Sequence, residues 1–248
     1  MEEIDDNVID LILQQPYFDE TPKMVSFEEI DLTDKKILIL CGSGCSKNYN
    51  IDTFEEMKKK GYYDIFSLNN FENDTLEFHK SINKLKEKCN QLNQIINKEN
   101  IFIVTTNIDG LFIGENIFEI HGNIFEYKCN FCKEIIKIPE IIDLPTCINC
   151  NCILRPNIQL YGDGDFVMNK IQIESYTKFK KEINVDNTVI FEFGCGLLVP
   201  LLRHESQVLY NKGFSVYRIN VKDFDDSIPT LNITGKKFLE KIFNSSRI

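Results

Sequence analysis

The chain has 248 residues with 38 acidic and 28 basic side chains, a formal net charge of −10, which argues against a nucleic-acid binder held by phosphate contacts. With 43% hydrophobic and 27% charged residues, the composition is that of a folded globular chain and excludes disorder over most of its length. No apolar run approaches the ~18 residues of a membrane helix, and the first residues are acidic where a secretory leader is basic, so the expectation is a soluble, intracellular protein without membrane contact.

The charge is unevenly placed. Between Glu2 and Asp34 stand eleven acids against the single base Lys23, while residues 35–248 balance at 27 of each sign. Residues 1–34 therefore read as an acidic N-terminal arm. Ile4, Val8, Leu11 and Ile12 recur at helical spacing up to Pro16, and a solvated cap on the fold is favoured over a docking arm for something basic. Lys35 to Leu40 is a short apolar run that reads as a buried strand, followed at once by Gly42-Ser43-Gly44-Cys45-Ser46 as a tight turn. Thr75 to Asn97 carries Leu76, Ile82, Leu85, Cys89, Leu92, Ile95 and Ile96 on one face and predicts an amphipathic helix. Further strands are expected at Ile101 to Val104, Val189 to Phe193 and Phe214 to Ile219, and a last helix at Lys236 to Phe243. Strands alternating with helical stretches predict an α/β fold with a parallel, Rossmann-like sheet.

Five of the nine cysteines lie between Cys129 and Cys152. Cys129-x2-Cys132 and Cys147-x2-Cys150 are separated by the fourteen residues Lys133 to Thr146, and each Cys-x2-Cys turn points two sulfurs at a common centre. The pattern predicts one structural Zn2+ held by Cys129, Cys132, Cys147 and Cys150, folding a small module that could not form a core alone. Cys152 is spare. The expected division is a zinc module at 122–153, a helical insertion within 50–98, and a sheet domain formed by 35–121 and 154–248.

Around the cysteines the sequence reads Thr105-Thr106-Asn107-Ile108-Asp109-Gly110-Leu111, then Glu119-Ile120-His121-Gly122-Asn123, and beyond them Leu154-Arg155-Pro156-Asn157-Ile158-Gln159-Leu160-Tyr161-Gly162-Asp163. Asn107 and Asp109 follow a predicted strand, where open α/β sheets bind ligands, and Gly42 to Gly44 could bring backbone N–H groups to a pyrophosphate. His121 is one of three histidines with His79 and His204, and the glycine after it leaves space beside the ring. In order and spacing these segments, together with Gly194-Cys195-Gly196 and Arg218-Ile219-Asn220, resemble the sirtuins, the NAD-dependent protein deacylases, from about Lys35 to Asn220.

The resemblance implies binding of NAD and of an acylated lysine in a protein or peptide, which lies between the two domains as an added strand. The acyl oxygen then attacks the anomeric carbon of the nicotinamide ribose, nicotinamide leaves, and a covalent imidate forms. His121 is the implied general base on a ribose hydroxyl, with Asn107 and Asp109 orienting ribose and nicotinamide. Gly42, Ser43, Gly44, Cys45, Phe54, Thr106, Gly194, Cys195, Gly196 and Asn220 are the implied cofactor residues. Gln159, Leu160, Tyr161 and Gly162 are placed at the acyl-lysine tunnel.

The sequence departs from the family on the cofactor side. Where the family loop ends Ile-Pro-Asp-Phe-Arg, this chain has Ile51-Asp52-Thr53-Phe54-Glu55, reversing a charge near an anionic cofactor. Thr106 stands for the usual Gln, Cys195 and Gly196 for Thr and Ser, and Gln159 for an apolar tunnel residue. These changes leave two further functions in view beside the deacylase: an NAD glycohydrolase or ADP-ribosyltransferase using the same cleavage step, and a non-catalytic binding protein.

Overall fold

The run Lys35 to Leu40 forms a strand buried on both faces: Ile37, Leu38, Ile39 and Leu40 are all at 0% exposure. The computed structural model describes residues 23–47, 51–52, 56, 59, 67–89, 94–95, 98–138, 144–160, 162–197, 199–220 and 228–244. Its strands are β1 (Met24–Val25), β2 (Lys36–Cys41), β3 (Gln94–Ile95), β4 (Ile101–Thr105), β5 (Phe112–Ile113), β6 (Ile117–Glu119), β7 (Gly122–Cys129), β8 (Ile135–Lys137), β9 (Leu154–Ile158), β10 (Thr188–Phe193), β11 (Ser215–Ile219) and β12 (Thr230–Leu231). Its helices are α1 (Gly44–Lys47), α2 (Leu68–Asn73), α3 (Thr75–Cys89), α4 (Lys170–Glu182), α5 (Leu201–Asn211) and α6 (Gly235–Asn244).

Seven strands form one parallel sheet in the order β1-β12-β11-β10-β2-β4-β6. Successive side chains of a strand point to opposite faces, and here both faces are covered, so the strands read as unbroken apolar runs. Ile37, Ile39, Ile101, Ile103, Phe191 and Phe193 pack with Phe238, Leu239 and Ile242 of α6. Leu38, Leu40, Phe102, Val104 and Ile190 face Phe179 of α4 and Leu202 and Leu209 of α5. β2, β4 and β6 proceed to one side, and β10, β11 and β12 to the other. The turns after β2 and β10 therefore meet at a topological switch point, the usual ligand crevice of such a sheet.

The acidic arm does not run to residue 34. Met24 and Val25 pair with Thr230 and Leu231 at the sheet edge, and Phe27, Ile30 and Leu32 are core residues. Apolar residues set between the acids explain the shift: their burial outweighs the charge pattern. The amphipathic stretch expected at Ile4 to Ile12 lies outside the described residues. The helix expected to reach Asn97 ends by Cys89 in its described part, and Gln94–Ile95 instead pairs in parallel with Phe112–Ile113. Helical periodicity continued through Ile95 because a β-branched residue fits either pattern.

A second, antiparallel sheet has the order β8-β7-β9, so β9 joins the cysteine-bearing segment and not the parallel sheet to which the sequence division gave it. Its own core is small: Tyr127, Cys129, Cys147 and Leu154. In a second cluster, Ile124, Ile158 and Leu160 pack with Phe71 of α2 and with Phe78, Ile82 and Cys89 of α3. Tyr127 is gripped by two residues seven apart on α3: His79 stacks on its ring at 5.8 Å, and Lys86 Nζ lies 4.5 Å from its centroid. No described helix is long and apolar enough to cross a membrane.

Candidate active site and metal centre

The two cysteine turns are built alike. Lys133 N–H donates to Cys129 O at 2.9 Å and Asn151 N–H donates to Cys147 O at 2.8 Å. Lys133 and Asn151, each just past its pair, both adopt positive φ, 63° and 57°. The four Sγ atoms of Cys129, Cys132, Cys147 and Cys150 lie within 4.8 Å of one another, with Cys132 and Cys147 3.6 Å apart. A tetrahedron with ~2.3 Å Zn–S bonds has edges of about 3.8 Å, so the donor set fits one tetrahedral Zn2+. Main-chain N–H groups of Cys132 and Phe131 lower the Cys129 thiol to about 7, whereas burial and the neighbouring Cys132 and Cys147 thiols raise Cys150 to about 12. Cys152 is exposed and its thiol faces Cys150 O.

The other expected site residues gather at the carboxyl ends of the parallel strands. Gly42 follows β2, Thr106 follows β4, His121 follows β6, Gly194 follows β10 and Asn220 follows β11. Across the switch point the first and fourth of these turns touch through their backbones: Gly44 N–H donates to Gly194 O at 2.9 Å. A Cβ on Gly42 would lie 2.6 Å from Gly194 O, and one on Gly194 2.5 Å from Cys45 N. These glycines permit one turn to lie against the other. The four-residue α1 that follows begins at Gly44.

Cys45 and Cys195 are fully covered, at 0% and 2% exposure. The Cys195 thiol faces Leu40 O at 3.4 Å, and its carbonyl accepts from Asn220 Nδ2 at 3.1 Å and from Arg203 at 3.4 Å. Whatever these two cysteines contribute to a ligand, they contribute through main chain. Gly196 is exposed, and beyond its chain neighbours no heavy atom of the described residues lies within 4 Å of the Cβ that it lacks.

Asn107 and Asp109 are brought together by a residue that sequence reasoning left unassigned. Asn107 Nδ2 donates to Ser46 Oγ at 3.0 Å and to Gly42 O at 3.1 Å. Ser46 Oγ in turn donates to Asp109 Oδ2, and Asp109 Oδ1 accepts from Leu111 N–H. Burial pushes the Asp109 carboxyl up, and the Ser46 and main-chain donors hold it back. Ser46 stood in the glycine-containing turn; only its pairing across 63 residues was invisible.

His121 sits in the turn between β6 and β7, where Gly122 has φ +78° and a Cβ would fall 1.9 Å from Asn157 O. Its Nδ1 lies 3.1 Å from Thr106 O. A carbonyl has no hydrogen to give, so Nδ1 carries the proton and donates, leaving the Nε2 lone pair free among the described residues. Burial lowers the imidazole pKa and the Thr106 carbonyl partly opposes this, so the neutral ring prevails at neutral pH. Thr106 makes this contact through its backbone, so the contact does not depend on the side chain that differs from the family.

Three more residues hold this turn. Asn123 Nδ2 donates to Glu119 Oε1 at 2.7 Å, Gln172 Nε2 of α4 donates to Glu119 Oε2 at 3.1 Å, and Glu119 N–H donates to Gln172 Oε1 at 3.0 Å. Burial raises the Glu119 carboxyl to about 7; Gln172 and Asn123 oppose the rise, and the charges of Glu126 and Asp109 add to it. Glu119 and Asn123 flank His121 in sequence, whereas nothing in the sequence pointed to Gln172.

Of the residues expected at the acyl-lysine tunnel, Gln159 is exposed and its N–H donates to His121 O at 2.9 Å. Gly162 is exposed with open space around it. Leu160 is at 3% exposure in the cluster against α3, a core position. Phe54 and Tyr161 lie outside the described residues. Arg155 and Asp163, eight residues apart at the two ends of one sequence segment, form a buried bidentate pair, so the strand and the loop after it are one unit.

The Sir2 family profile matches residues 44–186, more than half of the chain. This chain belongs to the Sir2 family. A Bacillus cereus protein named NAD-dependent protein deacetylase is 30% identical over 170 residues, covering 55% of this chain and 66% of that relative. A Thermotoga maritima protein of the same name is 28% identical over 164 residues, covering 57% and 67%. Against the first of these the chain spans just under two thirds of the relative's length. Among solved structures, a Sir2 homologue in complex with NAD superimposes with a TM-score of 0.69 at 18% identity, covering 90% of this chain and 95% of that one. Sir2 bound to acetylated peptide gives 0.59 at 20% identity, covering 83% and 91%. At these identities the likeness shows the fold: a Rossmann-like parallel sheet with a smaller four-cysteine module.

Proposed function

We propose that this sirtuin-family chain is an NAD-dependent protein lysine deacylase, with His121 as its general base. The observation that carries the reading is the His121 geometry: a neutral ring whose Nδ1–H is fixed on Thr106 O, with no partner on Nε2 among the described residues. NAD supplies a leaving group, nicotinamide, whose departure opens the anomeric carbon to the acyl oxygen of the substrate. The chain's residues do the rest. Nε2 takes a hydroxyl proton, a task suited to a group that is neutral at working pH. Asn107, Ser46 and Asp109 form one buried hydrogen-bonded group beside the first turn, which fixes their orientation for ribose and nicotinamide.

The reading assigns the dinucleotide to the walls made by Gly42, Ser43 and Gly44 on one side and by Gly194, Cys195, Gly196 and Asn220 on the other. Cys45 and Cys195 serve that wall through their backbones. The acylated peptide enters at Gln159 to Gly162. Zinc, on Cys129, Cys132, Cys147 and Cys150, is structural: four protein donors leave no open position for a reacting atom.

The test is a nicotinamide-release assay with and without a panel of acylated lysine peptides, run beside His121→Ala. Peptide-dependent release that falls by about 10²-fold or more in the variant is expected. Release that proceeds equally without peptide would replace the reading by a glycohydrolase. Calorimetry showing no NAD binding to the intact zinc-loaded chain would leave only a non-catalytic role.

A further inference from the structure

We propose that Glu119 is a positioning residue for His121, acting by closing the turn that carries it. The inference rests on the reading of His121 as the base and adds a residue with no role in it.

Glu119 stands two residues before His121 and Asn123 two residues after. Their side chains bond to each other across the turn, at 2.7 Å from Nδ2 to Oε1. The orientation of each amide partner is pinned independently. Asn123 Oδ1 accepts from Phe125 N–H at 2.8 Å, so its NH2 group must face Glu119. Gln172 Oε1 accepts from Glu119 N–H, so its NH2 group must face the carboxyl as well. Two donors with no freedom to flip converge on the two oxygens of one side chain at 7% exposure. Only a group that accepts at both ends satisfies them. A glutamine there would turn its own NH2 against one of these donors, and both would be left inside the fold. The carboxylate is thus matched to its partners although, among the described residues, no basic side chain hydrogen-bonds to it.

The bracket reaches His121 from both ends. Ile120 N–H donates to Thr105 O at 2.9 Å, which sets the turn beside the Thr106 carbonyl that receives Nδ1–H. Asn123 Nδ2 also lies at the Gly110 backbone, 3.1 Å from where a Cβ would stand, so the far arm of the bracket rests on the Asp109 loop. Gln172 ties the near arm to α4, whose first turn is fixed by its Asn169 cap. Opening the bracket frees the turn to move relative to Thr106 O, and with it the tautomer that leaves Nε2 unprotonated.

The experiment reads His121 directly. In the intact zinc-loaded chain without NAD, 15N NMR of the imidazole reports tautomer and pKa for wild type, Glu119→Gln, and the double variant Glu119→Gln with Asn123→Asp. In the double variant a carboxylate on the other side of the turn accepts from the new glutamine NH2. Expected are a single Nδ1–H tautomer in wild type, a tautomer mixture with a pKa nearer the ordinary imidazole value in Glu119→Gln, and restoration in the double variant. In the nicotinamide-release assay kcat falls between ~10- and ~100-fold in the single variant with KM for NAD within about threefold, and recovers in the double variant. A Glu119→Gln chain with wild-type tautomer, pKa and kcat would overturn the proposal. So would a double variant that folds, by far-UV circular dichroism and zinc content, without restoring His121. If no peptide supports release in wild type, the deacylase reading fails while the NMR comparison still decides the positioning role.

Discussion

The parallel sheet and the four-cysteine module sit side by side in one chain, yet different physics holds them. β2, β4 and β10 bury nearly every side chain on two faces under α4, α5 and α6, so the sheet is held by apolar area. Among the described residues the module's core cluster holds four buried side chains, two of them cysteines of the metal-binding set, and one of the four, Tyr127, also leans on α3. The module leaves Phe131 and Ile148, at the tips of its two cysteine turns, exposed at 77% and 91%. That is too little area to order a β-sheet alone. The lesson is that the chain should come apart in two steps, by different agents.

The largest effect expected is on the module. Native metal analysis should return about one zinc per chain, and chelation or Cys129→Ser should unfold β7 to β9 while the parallel sheet survives. The binding free energy of a structural Zn2+, ~10–16 kcal/mol in small modules, is what is lost. Amide hydrogen exchange separates the regions: protection lost in residues 122–158 and kept in β2, β4 and β10. Full titration of free thiols in a native, metal-free chain would show that the module folds without zinc.

Next is the sheet. Phe191, at 0% exposure, packs between Phe27, Tyr217 and Phe238, and Phe191→Ala should cost ~3–5 kcal/mol. Urea unfolding should show it in the sheet transition, with zinc content per folded chain unchanged. A variant that instead lost its metal first would show the two regions to be one cooperative unit.

The smallest and sharpest test is pH. Glu119, the last residue of β6 in the sheet, has its carboxyl raised by burial from 4.5 to about 7. Between those values the folded chain holds a proton that the unfolded chain lacks, so this contribution to stability falls as pH rises through the window. His79, where α3 meets the module, is lowered by burial from 6.5 to about 4. There the unfolded chain holds the extra proton, and stability falls as pH drops from 6.5 toward 4. Each is worth at most a few kcal/mol. Subtracting the pH dependence of Glu119→Gln and of His79→Phe from wild type should give slopes of opposite sign; slopes of the same sign would contradict one of the two assignments.

The legible parts of the fold were those where one local pattern had one meaning. Four apolar runs became β2, β4, β10 and β11, and two Cys-x2-Cys turns became one tetrahedral donor set. Residues 24–32 depart from the expectation their charge sets because charge is a property of a segment, whereas burial of Phe27, Ile30 and Leu32 depends on α6 and the sheet they pack against. Helical periodicity likewise could not say that Ile95 would find Ile113 as a strand partner.

The site divides in the same way. Sequence alone determined which chemistry was present: a histidine in a glycine turn, an Asn and Asp after a strand, and four paired cysteines, because those rest on residue type and short spacing. Only the tertiary structure decided what each group faces. Gly42 and Gly194 turned out to make room for each other's backbone, and the Cys45 and Cys195 thiols to point into the core. Ser46 was found to join Asn107 to Asp109, and Gln172 to hold the His121 turn through Glu119. A hydrogen bond acts over about 3 Å, and which groups lie that close across tens of residues of chain is set by how the sheet, the module and α4 pack.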